Sequence, residues 1–383
     1  MWHYLQFAMG LAQLGHDVYY LEDSCFFEGD EQPWFYDPIA KCMSINPSNN
    51  LQFAKDIIEK VGLEDRWALF DAQEAHWRGP AQDRVLDLCA SADLLLNVSA
   101  ANPLRGPLTQ IPVRAFIDTD PVFSQVRILT NPIRRDLAKQ HNCFFTFGEN
   151  IASRQSNAPD DGFPWQATRQ PVVLDAWPVT PGPKRGHFTT LMAWDSFKKE
   201  EYAGVRYGMK SDSFGEFLNF PKMVNAPVEL GLFDPSAAPE TLQTQGWSVC
   251  DAKPKTNDPW TYQSYIRESK AEFSVAKHGY VSTRSGWFSD RSATYMASGR
   301  PVLVQETGFS DWLPTGLGVL PFNTLEEAVA GADDIDRRYE IHCQAARALA
   351  EEYFDSRKVL ARLIECAQRS VGSPGVIPLP GPI

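Results

Sequence analysis

Hydrophobic positions in the first segment recur at helical spacing. Over Met1–Leu14, Trp2, Leu5 and Met9, flanked by Leu11 and Ala12, share one broad face, and Gly15 follows as a C-terminal stop. Short apolar runs come next: Asp17–Glu22 (DVYYLE), Leu94–Val98 (LLLNV), Val113–Ile117 (VRAFI) and Cys143–Phe147 (CFFTF) read as strands. Helical patterns lie between them, at Gln82–Ala90 and Gln125–Lys139. Residues 156–186 break the pattern with six prolines, which marks a domain boundary. The alternation then restarts with strand candidates Phe188–Ala193, Val228–Phe233, Trp247–Cys250, Ala271–Ala276 and Pro301–Val304. Helices are expected at Pro235–Thr244, Pro259–Ser269 and Asp290–Ser298, and one or two long ones over 336–369.

Strands alternating with helices in two blocks predict an α/β protein of two Rossmann-like, doubly wound units. The expected division is 1–170 for the first unit, 171–186 for a proline-rich linker and 187–335 for the second unit. C-terminal helices then cover 336–372, and a proline-rich tail of poor order covers 373–383. A doubly wound unit opens with a strand and a tight loop before its first helix. Here the chain starts inside that helix, so the first unit is expected to lack its opening strand, the alternative being a natural N-terminal helix.

Composition narrows the function classes. Of 383 residues, 43% are hydrophobic and 22% charged, which suits a folded protein and excludes a disordered one. A net charge of −12 argues against general nucleic-acid binding while leaving room for a local basic pocket. No apolar run approaches a membrane span of roughly 18 residues. His3, Gln6 and Gln13 interrupt the N-terminal apolar stretch, so no signal peptide is expected. Seven cysteines without a CxxC pair fit a reducing, cytoplasmic setting. The seven histidines form no HExxH or HxH, and no metal site is expected.

The chemistry concentrates in Ala271–Leu313. Ser289 is placed to cap a helix that begins at Asp290 and ends at Gly299, ahead of the strand after Arg300. A helix N-terminus beside a loop presents free N–H groups and partial positive charge, a ready diphosphate site, to which Arg284 and Arg291 add charge. Asp290 would repel phosphate and is read as a cap or a hydroxyl partner. An ordinary capped helix between two strands is the alternative.

GWFSDRSATYMASGRPVLVQETGF, followed by the turn LPTGLGVLPF, resembles the C-terminal domain of GT-B glycosyltransferases. Met296-Ala297-Ser298-Gly299-Arg300-Pro301 matches the small-residue helix ending that these enzymes carry beside the nucleotide sugar. The stretch WHYLQFAMGLAQLGHDVYYLED is similar to their first helix and second strand. The resemblance implies two Rossmann-like domains facing a cleft, with the donor on the C-terminal side and the acceptor on the N-terminal side. Many retaining members carry two glutamates near this helix; here those positions hold Gly286 and Thr294, so retaining or inverting chemistry stays open.

Under this resemblance the donor site draws on Arg284, Ser285, Gly286, Ser289, Asp290, Arg291 and Ser292. The loop Gln305-Glu306-Thr307-Gly308 approaches the sugar through Gln305, Thr307 and Gly308. Trp194 and Lys198 come from the loop after Phe188–Ala193, and Tyr207-Gly208-Met209-Lys210 continues that wall. Lys277-His278-Gly279-Tyr280 follows another strand, and His278 is either a pyrophosphate or sugar contact or a structural loop histidine. On the acceptor side the resemblance makes His3 a general base, with Asp118 or Asp120 fixing its tautomer; the alternative is a surface histidine at a frayed helix end. Asp118-Thr119-Asp120 is also a DxD, which binds metal in GT-A enzymes but has no such role in GT-B. Glu149 and Asn150 are further cleft candidates. The Asn97-Val98-Ser99 sequon lies in an expected strand and is set aside.

The function implied is metal-independent transfer of a sugar from a nucleotide-diphosphate donor to an unknown acceptor, without a cofactor. A sugar-nucleotide epimerase of the same fold, or a degenerate non-catalytic nucleotide- or partner-binding protein, are the alternatives.

Overall fold

The computed structural model describes residues 1–24, 35–37, 42–233 and 239–372. Two parallel sheets organise it. The C-terminal sheet has six strands in the order Ser248–Asp251, Val228–Leu232, Phe188–Met192, Ala271–Ser274, Val302–Gln305 and Val319–Phe322, all parallel. Strand order reverses between Phe188–Met192 and Ala271–Ser274, so the loops leaving these two strands diverge and open a crevice at their carboxyl ends. Aromatic packing stiffens this unit: Phe273 stacks on Phe220 at 4.2 Å and on Phe322 at 5.3 Å.

The N-terminal sheet is divided. Leu94–Val98, Val113–Asp118, Cys143–Thr146 and Gln166–Ala167 form one parallel part. Tyr20–Asp23 pairs in parallel with Trp67–Asp71, to which His76–Arg78 adds antiparallel. Among the described residues no strand ladder joins Tyr20–Asp23 to Leu94–Val98. The Asn102 side chain spans the seam like a peptide group: its Oδ1 accepts from Asp23 N–H at 3.2 Å and its Nδ2 donates to Leu21 O at 3.2 Å. Asn97 holds Asn102 in turn, donating from Nδ2 to Asn102 O at 2.9 Å, and Arg105 grips the Asp23 carboxylate at 2.6 and 2.9 Å.

Several expectations shift by a physical cause. The helix expected over Gln125–Lys139 is two, Phe123–Thr130 and Pro132–Lys139, because Pro132 cannot continue a helix and Asn131 caps the second by accepting from Ile133 and Arg134 N–H. The loop expected before Ser289 contains a helix, His278–Thr283. Of the helix expected at Pro235–Thr244, residues 235–238 lie outside the described residues, as does the tail 373–383; Pro239–Thr244 is helical. The proline-rich linker is packed: Val172, Val173 and Trp177 are buried, and the Trp177 indole donates to Gln6 Oε1 at 2.9 Å.

The C-terminal stretch forms helices Leu325–Arg337, Tyr339–Tyr353 and Ser356–Gly372. The last returns to the first unit. Its Leu360, Leu363 and Ala367 share a core with Phe7, Ala115, Ile117 and Phe145. Gly10 permits the approach of helix Trp2–Gln13, since a Cβ there would sit 2.6 Å from Leu360 Cδ1.

Candidate active site

A cavity of about 580 Å3 lies where the two units face each other, a size typical of small-molecule sites. On its C-terminal wall, helix Asp290–Ala297 opens toward the cavity. Ser289 caps it, accepting from Arg291 N–H at 3.2 Å, and Ser289, Asp290 and Arg291 all line the cavity. The Arg291 guanidinium is committed, however: Nε donates to Glu272 Oε1 at 2.5 Å, Nη1 to Leu191 O at 2.7 Å and Nη2 to Ser274 Oγ at 2.6 Å. Glu272 is fully buried, so this pair cancels its own charge inside the unit.

Lys210 is the contrasting cation. It begins helix Lys210–Phe214, lines the cavity and is 8% exposed, yet among the described residues no group hydrogen-bonds or ion-pairs its ammonium. Burial pushes its pKa well below the ordinary lysine value; Arg291 and Lys277 add to the depression, and Glu272 and Asp290 oppose it. Lys277, on the loop leaving the other central strand, packs over the Phe197 ring at 4.1 Å and meets Asp120 Oδ1 at 2.8 Å.

The N-terminal wall is built from strained turns. Ser99 and Ala100, after Leu94–Val98, have φ of 60° and 45°, and Val122 has φ of 74°, conformations that L residues adopt only where surroundings enforce them. Asp118 enforces part of this. It is buried and accepts from Ser124 Oγ at 2.6 Å, Gln125 Nε2 at 3.1 Å, Thr146 Oγ1 at 2.8 Å and Asp120 N–H at 3.0 Å. Burial raises its pKa against the pull of those donors. Asp118 therefore holds the turn and does not reach the cleft, and the DxD presents only Asp120 to it. His3 does line the cavity, but its carboxylate neighbour is Asp290 of the opposite unit, 3.7 Å from Nδ1, rather than Asp118 or Asp120. Its Nε2 lies 3.4 Å from Ser99 Oγ, and burial lowers its pKa against the opposing pull of Asp290, which favours neutral imidazole.

Of the residues the sequence singled out, His3, Asp120, Ser289, Asp290 and Arg291 meet at the cavity. The others sit elsewhere for identifiable reasons. Arg284 pairs with Asp311 at 3.0 Å on the surface. Ser285 and Gly286 form the seam with Asn150, whose N–H donates to Ser285 O at 3.2 Å and whose Nδ2 donates to Arg284 O and Gly308 O at 3.1 Å. Gly286, at φ 76°, leaves no room for a Cβ, which would stand 2.7 Å from Asn150 N. Ser292 is buried in its helix, and Thr307 donates to Trp287 O. Gln305 accepts from Ala276 N–H at 3.0 Å. Trp194 packs on Phe214, Lys198 is exposed, and His278 Nδ1 accepts from Gly208 N–H at 3.4 Å. Glu149 is tied to Arg169 at 2.5 Å. The sequence reading placed Lys210 and Lys277 in the right loops but gave neither a role; the signal was that both follow the two strands at which the order reverses.

No family model matches the chain, and no curated relative matches it either. Solved structures do. Anabaena HepE (Alr3699) in complex with UDP-glucose aligns with TM-score 0.51 at 11% identity, over 92% of this chain and 99% of that one. Sucrose-phosphate synthase from Thermosynechococcus elongatus aligns with TM-score 0.50 at 11% identity, over 96% and 92%.

The fold is GT-B.

Other GT-B glycosyltransferases align less closely: against TarM the TM-score is 0.41 at 10% identity, and this chain spans 44% of that longer one. The cavity thus lies between the two Rossmann-like halves of a GT-B architecture. Among the described residues no helix is long and apolar enough to cross a membrane.

Proposed function

We propose that the protein is a glycosyltransferase that moves a sugar from a nucleoside-diphosphate donor to an acceptor hydroxyl. The observation that carries this reading is Lys210: a buried ammonium without a partner among the described residues, beside a capped helix N-terminus, in a cavity between two GT-B halves. A cation desolvated without a counter-ion is costly, and an anionic ligand relieves the cost. The diphosphate sits between Lys210 and the N-terminus at Ser289, which together stabilise the charge that develops on the leaving group. This supplies the role a divalent ion plays elsewhere. Arg291 fixes the geometry of the wall through Glu272 and Leu191 O. As the anomeric C–O bond breaks, its electron pair leaves with the diphosphate; the acceptor oxygen bonds to the anomeric carbon, and its proton passes to His3 Nε2.

UDP is the first nucleotide to test, because HepE has been solved with UDP-glucose. Titration calorimetry of UDP is expected to give saturable binding. Lys210→Met should cost about 2 kcal/mol of it, roughly thirtyfold in Kd, while melting cooperatively. A well-folded protein that binds neither UDP, GDP, dTDP, ADP nor CMP would overturn the reading. Binding with release of an altered sugar nucleotide in the absence of acceptor would replace transfer by epimerisation.

A further inference from the structure

Three cations stand on the C-terminal wall of the cavity, and they differ in who neutralises them. Arg291 is matched within its own unit by Glu272, which is fully buried and has nowhere else to go. Lys210 is matched by no described residue. Lys277 is matched from across the cleft: its ammonium meets Asp120 Oδ1 at 2.8 Å, and the Tyr280 hydroxyl donates to the same carboxylate. Asp120 belongs to the N-terminal unit, at the end of strand Val113–Asp118. Asp120 is not the only group that holds the Lys277 ammonium, which also lies over the rings of Phe197 at 4.1 Å and Phe123 at 5.0 Å. Lys210 and Lys277 are near enough for each to oppose the other's charge.

We propose that Asp120 is an internal counter-anion, which holds Lys277 while the cleft is empty and is displaced from it when the diphosphate of a donor binds. The proposal rests on the glycosyltransferase reading and adds an order to it. A diphosphate brings more negative charge than Lys210 alone can match, and Lys277, on the same wall, has its present partner on the opposite wall. Once Lys277 turns to phosphate, the Asp120 carboxylate keeps the Tyr280 hydroxyl on Oδ1 and faces the acceptor half of the cavity, where it orients an incoming hydroxyl. Donor binding thereby precedes and prepares acceptor binding, and Asp120 acts as a positioning residue. The indole of Trp287, donating to Thr119 O at 3.3 Å, and the Arg127–Glu200 pair at 2.9 Å keep the two walls together while the exchange takes place.

The test is calorimetry with UDP and with inorganic pyrophosphate on wild type, Asp120→Asn, Lys277→Met and the double variant. Removing a competing anion should tighten UDP and pyrophosphate by about tenfold in Asp120→Asn. Lys277→Met should weaken both, and adding Asp120→Asn to it should change nothing further. Asp120→Ser, which also removes the charge, gives the same shift if the Asn variant does not fold. Unchanged or weaker binding in a folded Asp120 variant overturns the exchange, as does equal tightening in the Lys277→Met background. If wild type binds UDP and the Asp120 variants do not tighten it, the exchange alone falls. If wild type binds neither probe, the exchange and the glycosyltransferase reading fall together.

Discussion

The two halves of this GT-B protein carry similar α/β patterns yet hold their sheets together by different means. The C-terminal sheet runs through six hydrogen-bonded parallel strands, packed by stacked phenylalanines.

 

The stacking consists of two ring pairs, Phe220–Phe273 at 4.2 Å and Phe273–Phe322 at 5.3 Å.

The N-terminal sheet is joined across its seam by a polar chain instead. His141 Nε2 accepts from Asn97 Nδ2 at 3.2 Å, Asn97 donates to Asn102 O, and Asn102 bridges to strand Tyr20–Asp23. An apolar core tolerates changes of pH and loses stability mainly through cavities, whereas a buried polar chain fails as soon as one member changes its proton or its shape. The difference teaches that the C-terminal wall is the rigid reference of the cleft and the N-terminal wall the conditional one.

The comparison can be broken most severely at Glu272. Glu272→Ala leaves the Arg291 guanidinium buried without its counter-charge and should cost about 3–5 kcal/mol in urea unfolding. Adding Arg291→Met should restore most of that loss; if it does not, the pair is not what stiffens the C-terminal wall. A smaller effect should separate the halves by pH. Burial lowers the His141 pKa from 6.5 to about 4, and its neutral form donates from Nδ1 to Leu137 O at 3.0 Å while accepting from Asn97. Between these values the unfolded chain binds the proton and the folded one does not, so stability rises with pH across the window and is lost on acidification, by about 3 kcal/mol at its lower end. His141→Gln should flatten that slope; an unchanged slope would move the acid sensitivity elsewhere. The smallest effect is expected at the seam itself. Asn102→Ala should cost about 1–2 kcal/mol and speed hydrogen exchange at the Asp23 amide, leaving the C-terminal strands untouched. Equal acceleration in both sheets would mean that the halves do not unfold separately.

Much of the fold was legible because period and punctuation agree. Leu94–Val98 is the strand its apolar run predicts, and Asp290–Ala297 is the helix that Ser289 and Gly299 delimit. The seam was not legible, since no local pattern announces that Asn102 will bridge it. The site was half legible. The Ser289 cap and its first turn line the cavity, as the loop-to-helix pattern implies, but Arg291 and Lys210 could not be ranked from sequence. Which cation is free depends on Glu272, nineteen positions before Arg291, and that pairing exists only once the strands are side by side. Asp118 and Asp120 were equally indistinguishable: Asp118 closes its strand and is buried, while the turn beyond the strand carries Asp120 into the cleft.

The return of helix Ser356–Gly372 has a consequence for biosynthesis. Leu360, Leu363 and Ala367 complete the core around Phe7, Ala115 and Ile117, so the half that is translated first cannot finish its interior until nearly the last residue of that helix has left the ribosome. Its early strands wait, with apolar surface uncovered, while the C-terminal half is made and folds. The order of synthesis and the order of completion are therefore reversed, and the nascent N-terminal half is the stretch a chaperone would be called on to shield.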